Sequence, residues 1–302
     1  MNVLILGNAE DSHARHLKRA LTEAGVRVEY LDTNRFPTQL RLSWQPETGA
    51  GYLTLPDGSS FSLQDIHSVF WRTFTGVGIP EMPDAAGHRI AFNDAMSTVR
   101  SLLQAIPARW INAWEAYQFH KEKPLQLHAV SQLGVKIPAT LIGNDPEQVT
   151  TFAKIHHPTI FKPVYGGAHT QFVSDRHLEP TRLKEALSLS PVTIQVYIPG
   201  TNIRSYAIAD EVYTAEIRSE SLDFREDPQA QLIPIELPET VRQQCLAIAR
   251  RLKLAWTAID WRRTQEGEYI FLEANPSPMF LHFEEKTGFP ITQQLVKLLT
   301  EA

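Results

Sequence analysis

Residues Trp256 to Phe280 read Trp-Thr-Ala-Ile-Asp-Trp-Arg-Arg-Thr-Gln-Glu-Gly-Glu-Tyr-Ile-Phe-Leu-Glu-Ala-Asn-Pro-Ser-Pro-Met-Phe. The pattern predicts two antiparallel strands that turn at Gly267. The first carries Asp260, and the second runs from Glu268 to Leu272 and on into Glu273-Ala-Asn275. Side chains alternate along a strand, so Glu273 and Asn275 share a face. Pairing of the two strands sets Asp260 beside them. Two carboxylates and one amide oxygen then converge on one spot. Such a donor set suits a hard cation; magnesium in particular takes few protein oxygens because phosphate and water complete its shell. A solvated hairpin with idle acids is the alternative for an acidic pair taken alone. Asn275-Pro-Ser-Pro weighs against it, because two prolines stop the ladder and pin the backbone that carries the amide.

The chain has 302 residues, enough for two or three lobes with cores of their own. Hydrophobic residues make up 43% and charged residues 21%, which is the balance of a globular protein. A net charge of −5 argues against a general nucleic-acid binder. Cys245 is the single cysteine, so no internal disulfide framework exists, and a reducing cytoplasm is the expected setting. Its apolar helical surroundings make it a core residue rather than a nucleophile. No apolar run reaches membrane-spanning length, and the N-terminus has no signal-peptide layout. No repeat or low-complexity tract is present, nor any convincing Ser-His-Asp or Cys-His set.

Residues 1–106 predict an N-terminal α/β lobe. Asn2 to Leu6 is an apolar strand; Ser12 is positioned to cap a helix to Ala24 that Gly25 closes; Val26 to Leu31 is a second strand. That order implies a right-handed parallel crossover. Its first turn lacks the glycine spacing of a dinucleotide fingerprint, and no Walker phosphate loop occurs. Leu40 to Leu55 with Pro56-Asp57-Gly58 reads as hairpin-like β structure, and Val69 to Arg72 as another strand. Arg72, at a strand exit, could reach a carboxylate or serve structurally. His88 to Ile106 has helical periodicity, and Pro107 marks the boundary.

Residues 107–190 predict a central lobe and residues 191–302 a C-terminal one. A helix is expected to hold Lys121 and Lys123 and to run to Gly134. Thr159 to Lys162 is a strand that breaks into Tyr165-Gly166-Gly167. A lysine at a strand end followed by glycines suits phosphate, since the ammonium supplies charge and bare glycine backbone lets N–H groups approach. The histidines His156, His157 and His169 lack metal-ligand spacing. Val192 to Ile198 is a strand whose edge can bond an adenine through backbone while Tyr197 or Ile198 packs the ring. Ile203 to Ala209 and Val212 to Arg218 alternate as a hairpin, with Arg204 and Arg218 expected near one end and Arg225 following in Asp223-Phe-Arg225. An arginine cluster can hold a carboxylate and a transferring phosphoryl group.

The ordered set Lys123, Gly134, Pro138, Lys162, Gln195-Val-Tyr-Ile198, Asn202-Ile-Arg204, Asp223-Phe-Arg225, Asp260, Glu273 and Asn275 resembles the ATP-grasp ligases. Within that superfamily it is most similar to the ribosomal-protein glutamate ligases and to the microviridin-type peptide macrocyclases (graspetide synthetases). Glu285 to Ile291, Arg35-Phe-Pro37 and Phe70-Trp-Arg72 lean toward the macrocyclases. The resemblance implies an α/β ATP-grasp fold, with an N-terminal lobe followed by two lobes that sandwich ATP. Lys123 and Lys162 would contact phosphates, and Gly166 and Gly167 would belong to a loop closing over them. Gln195, Tyr197 and Ile198 would frame the adenine, with Asn202 near the ribose where relatives commonly carry aspartate. Arg225 would hold the transferring phosphoryl group, with Arg204 and Arg218 near the acceptor. Asp260, Glu273 and Asn275 would hold magnesium, with manganese able to substitute. The implied reaction is ADP-forming joining of a carboxylate to an amine or hydroxyl through an acyl phosphate, on a peptide side chain. A small-molecule ligase of glutathione-synthetase type and a non-catalytic nucleotide-binding module are the alternatives. A homodimer is expected, and no nucleic-acid or membrane partner.

Overall fold

The computed structural model describes residues 1–165, 170–219 and 229–301, apart from the side chain of Gln118. The chain divides into two compact units. One comprises Met1–Trp114 together with Met279–Ala302, and the other Glu115–Pro278.

The first unit opens with β1 (Asn2–Leu6), α1 (Ser12–Glu23) and β2 (Arg27–Leu31). With β6 (Ile66–Trp71) and β7 (Arg109–Ile111) they form a parallel sheet of order β2-β1-β6-β7. Parallel strands are covered on both faces, so β1 reads as an unbroken apolar run, and Val3 to Leu6 are fully buried. The helix cap is Asp11 rather than the expected Ser12. Its carboxylate accepts from the Ala14 N–H at 2.8 Å and from Arg72 Nε at 2.9 Å. Arg72 is therefore a structural residue that fastens the exit of β6 to the start of α1. The expected hairpin gains a third strand: β3 (Arg41–Trp44), β4 (Gly51–Thr54) and β5 (Ser60–Ser62) form a separate antiparallel sheet. The helix α2 (Ala85–Ala105) then leads to β7, which extends the parallel sheet beyond Pro107.

The last helices, α8 (Leu281–Thr287) and α9 (Ile291–Thr300), belong to this same unit. Ser68 Oγ donates to the Leu299 carbonyl at 2.8 Å, and the Phe280 N–H donates to His13 Nδ1 at 3.3 Å. The Phe280 ring is fully buried, 5.0 Å from the His13 ring.

In the second unit a single helix through Lys121 and Lys123 was the expectation. Two are present, α3 (Trp114–Lys121) and α4 (Lys123–Ser131). Pro124 explains the break. It is tolerated in the first turn of α4, but in one continuous helix it would lack an N–H and collide with the preceding turn. Next come β8 (Thr140–Gly143), α5 (Pro146–Ile155), β9 (Thr159–Lys162), β10 (Gln171–Phe172), α6 (Pro180–Leu189) and β11 (Val192–Val196). Their antiparallel sheet has the order β10-β9-β11-β8, with α5 and α6 packed on Ile194 through Val149, Ala153, Leu183 and Leu187. The second sheet is β14-β13-β12-β15-β16. Its strands are β12 (Thr201–Ile208), β13 (Glu211–Arg218), β14 (Gln231–Ile235), β15 (Trp256–Arg263) and β16 (Tyr269–Asn275). One face of this sheet buries Ile203, Ala207, Ile259, Trp261 and Phe271 against α4 and α7 (Glu239–Arg251). Cys245 lies in that core as expected, and burial pushes its thiol up to about 12. Among the described residues no helix is long and apolar enough to cross a membrane.

Burial lowers the His13 pKa from 6.5 to about 4, helped by the Arg72 charge. The unfolded chain therefore binds a proton that the folded chain does not between those two values, and stability falls as pH drops from 6.5 toward 4. Replacing His13→Gln should flatten the fall in thermal midpoint over that window. A slope identical to that of the parent protein would show that His13 does not supply it.

Candidate active site

The register confirms the reading of the acidic hairpin. Asp260 pairs directly with Glu273, and Asn275 pairs with Ala258, two residues before Asp260 in β15. The ladder shifts at this point: Trp261 pairs with Phe271, so Leu272 is an extra residue in β16 beside the two acids. The sharp end of the strand is also as expected, since Asn275 Oδ1 accepts from the Ser277 N–H at 2.9 Å.

Each acid faces a cation. Arg204, directly opposite Asp260 on β12, donates Nε and Nη2 to its two oxygens at 2.7 Å each. Lys123 Nζ, at the start of α4, donates to Glu273 Oε2 at 2.7 Å. Burial alone would raise the Glu273 carboxyl; Lys123 together with the charges of Lys162 and Arg204 outweighs it, and the pKa lies below the usual carboxylate value. Burial would likewise favour neutral Arg204, but the Asp260 charge and hydrogen bonds raise its pKa instead.

The other expected residues fall into two groups. Gln195 is buried, and its amide joins two neighbours: Oε1 accepts from Lys162 Nζ at 2.8 Å, while Nε2 donates to Thr140 Oγ1 at 2.8 Å. It therefore aims the lysine at the end of β9. Tyr197 packs its ring edge-on to Phe172 at 4.9 Å, and its N–H donates to the Pro158 carbonyl. The Ile198 carbonyl accepts from Arg262 Nε at 3.1 Å, and Asn202 Oδ1 accepts from Arg262 Nη1 at 2.7 Å. Arg204 and Arg218 are not brought together. Strand alternation puts Arg218 on the opposite face of the sheet, where it bonds Glu216 at 2.8 Å beside Arg263. Gly166, Gly167 and Arg225 lie outside the described residues.

Sequence reasoning missed Arg262 and Gln126. Arg262 lies two residues past Asp260, so alternation alone places it on the same face, and the Tyr197 ring is 5.6 Å from its guanidinium. Gln126 gave no such signal, because glutamine within a helix is ordinarily solvated. Here its side chain is buried and bonds both backbone groups of Ala274, between Glu273 and Asn275.

The donor set fits magnesium. Among the described residues no three or more His, Cys, Asp or Glu side chains form a cage for a metal ion. Two carboxylates and one amide oxygen are too few for an all-protein shell, and they suit a cation that arrives with phosphate and keeps water.

Two antiparallel sheets, one whose strand β9 ends in Lys162 and the other carrying the acidic pair, are the arrangement expected of an ATP-grasp ligase. Comparison places the chain more closely. The MvdD pre-ATP grasp domain matches residues 2–118 and the RimK-like ATP-grasp domain matches residues 120–299, so the chain belongs to the RimK-like ATP-grasp family. Among solved structures, macrocyclase MdnC of Microcystis aeruginosa MRC, bound with precursor peptide MdnA, is 26% identical over 100% of both chains, with a TM-score of 0.88. An ATP-grasp ligase associated with RiPPs from Chryseobacterium gregarium, in complex with ADP and a leader and core peptide, is 26% identical over 99% of this chain and 96% of that one, with a TM-score of 0.88. The ATP-grasp ligase PsnB, complexed with minimal precursor, Mg and ADP, is 27% identical over 98% and 96%, with a TM-score of 0.83. No curated protein matches. The resemblance read from the ordered motifs is therefore confirmed for the family and the fold.

Removing one member of the largely buried Arg204–Asp260 pair strands the other. Arg204→Met should destabilise the protein by about 3 kcal/mol in urea unfolding, while Arg204→Met with Asp260→Leu should recover most of that loss. Additive losses would show that the two side chains do not depend on each other.

Proposed function

We propose that this enzyme uses ATP to join a side-chain carboxylate of a precursor peptide to a hydroxyl or amine of that peptide, forming an ω-ester or ω-amide. The observation that carries this reading is the end-to-end match, through both family domains, to a macrocyclase bound with its precursor peptide. The ligase of Chryseobacterium gregarium supports it, being bound with ADP and with leader and core peptides.

In this reading a carboxylate oxygen of the peptide attacks the γ-phosphorus of ATP, and ADP leaves. The hydroxyl or amine then attacks the acyl carbon, loses its proton and displaces phosphate. No side-chain nucleophile is needed, so the protein works by positioning and charge neutralisation. Lys162, aimed by Gln195, meets phosphate oxygens, and Lys123 does so from the start of α4. Tyr197 and Ile198 pack the adenine, and Asn202, steadied by Arg262, reaches the ribose. Arg204, Arg218 and Arg225 serve the acceptor and the transferring group; for Arg218 this requires a position other than its present pairing with Glu216. Asp260, Glu273 and Asn275 would hold magnesium, or manganese in its place, and the ion would neutralise phosphate charge. A cytoplasmic homodimer completes the proposal.

The test is ADP release by the purified protein with magnesium-ATP, alone and with pools of acidic peptides or free amino acids. Peptides should stimulate release, and Glu273→Ala should lower the stimulated rate by about 100-fold. Equal stimulation by free amino acids would point to a small-molecule ligase. Magnesium-dependent ATP binding without turnover under every condition would point to a nucleotide-binding module.

A further inference from the structure

The sheet that carries the acids ends at β16, and an outer strand exposes backbone N–H and C=O groups with no neighbouring strand to pair them. In a regular strand those groups point alternately to the two edges, so residues three apart point opposite ways. The extra Leu272 changes that spacing and lets Phe271 and Ala274 both address the free edge. Phe271 N–H donates to the Lys136 carbonyl at 2.9 Å. At Ala274 no backbone of another strand is hydrogen-bonded on that edge among the described residues. Gln126 of α4 supplies the missing pair instead: its Oε1 accepts from the Ala274 N–H at 2.9 Å, and its Nε2 donates to the Ala274 carbonyl at 2.9 Å.

Both residues are buried, Gln126 to 3% exposure and Ala274 to 2%, so water cannot take over these bonds. A buried peptide group stripped of its partners is costly, and the backbone would move to avoid that state. Ala274 is the single residue between Glu273 and Asn275, so any such movement displaces both. Gln126 also lies three residues after Lys123, on the same helical face. The helix α4 therefore holds β16 at two successive points, through the Glu273 carboxylate and through the Ala274 backbone.

We propose that Gln126 is a positioning residue, which holds Glu273 and Asn275 in their metal-binding arrangement by closing the edge of β16 at Ala274. The inference rests on the functional reading above only in that these residues bind magnesium together with nucleotide.

Two readouts test it without turnover. The first is hydrogen exchange of the segment spanning residues 270–276. The second is the ratio of ADP affinities with and without magnesium, measured with a fluorescent ADP analogue. Gln126→Met, similar in shape but without hydrogen bonds, should speed exchange in that segment and cut the magnesium-dependent gain in affinity by about tenfold, the usual scale for outer-shell partners of a metal site. Gln126→Asn, which keeps an amide on a shorter stem, should move both readouts the same way by less, and it replaces the first variant if that variant does not fold. Unchanged exchange, or an unchanged affinity ratio in a variant whose exchange has risen, overturns the proposal. If the parent protein binds ADP equally with and without magnesium, the functional reading itself fails, and Gln126 loses its metal-positioning role whatever the exchange shows.

Discussion

Two carboxylates stand directly opposite one another on neighbouring strands, and much of the surrounding structure answers to that fact. Like charges in such a cross-strand pair repel. Asp260 and Glu273 are tolerated because a cation flanks each of them, Arg204 from β12 and Lys123 from α4. Lysine, glutamate, aspartate and arginine thus form a row running from α4 through β16 and β15 to β12. The core beneath the row is apolar, built from Ile203, Ile259, Trp261 and Phe271. Alternation along the strands separates the two sets cleanly, because every second residue of β12 and β15 points the other way.

Stability alone gives no reason to keep such a row. Charges taken from water incur a desolvation penalty that their mutual attraction often fails to offset, and apolar residues of similar shape commonly do as well. The pairing matters because it favours the ionised form of Glu273. Burial would by itself favour protonated Glu273, and Lys123 with the charges of Lys162 and Arg204 reverses that preference. A protonated acid could not serve as a hard-cation ligand. The flanking cations therefore preserve the chemistry of the donors.

How much of this was legible in the sequence depends on distance along the chain. The acidic hairpin was readable because turn, alternation and terminating prolines lie within a short span, and local geometry fixes which side chains share a face. The strand ending at Lys162 was readable on the same grounds. The family emerged from the order of motifs, each of them weak alone. The two-helix break at Pro124 was local and could have been found from the proline. What was hidden is what depends on the meeting of distant elements. Gln126 at Ala274 and the bonding of Gln195 to both Lys162 and Thr140 join parts of the chain that no short-range pattern connects. Arg218 shows the converse hazard. It and Arg204 were expected together at one end of a hairpin, but parity along the paired strands sets them on opposite faces.

Charge arithmetic also limits what this site can attract. A row of two acids and two bases is close to neutral, so it exerts little net pull on a bare dication. The same row is better suited to a dication that brings its own anion. Phosphate oxygens would complete the shell that two carboxylates and an amide leave unfinished. In the proposed reading they would also meet the positive groups on either side, Lys123 beside Glu273 and Lys162 at the end of β9, whose charge already acts on Glu273. Metal and triphosphate would then each offset the charge that the other introduces, and the acids need not be stripped of their cations before the ligand arrives. In the proposed reading, the neutrality that makes the paired acids tolerable in the folded protein would favour the nucleotide and its cation as one unit over either alone.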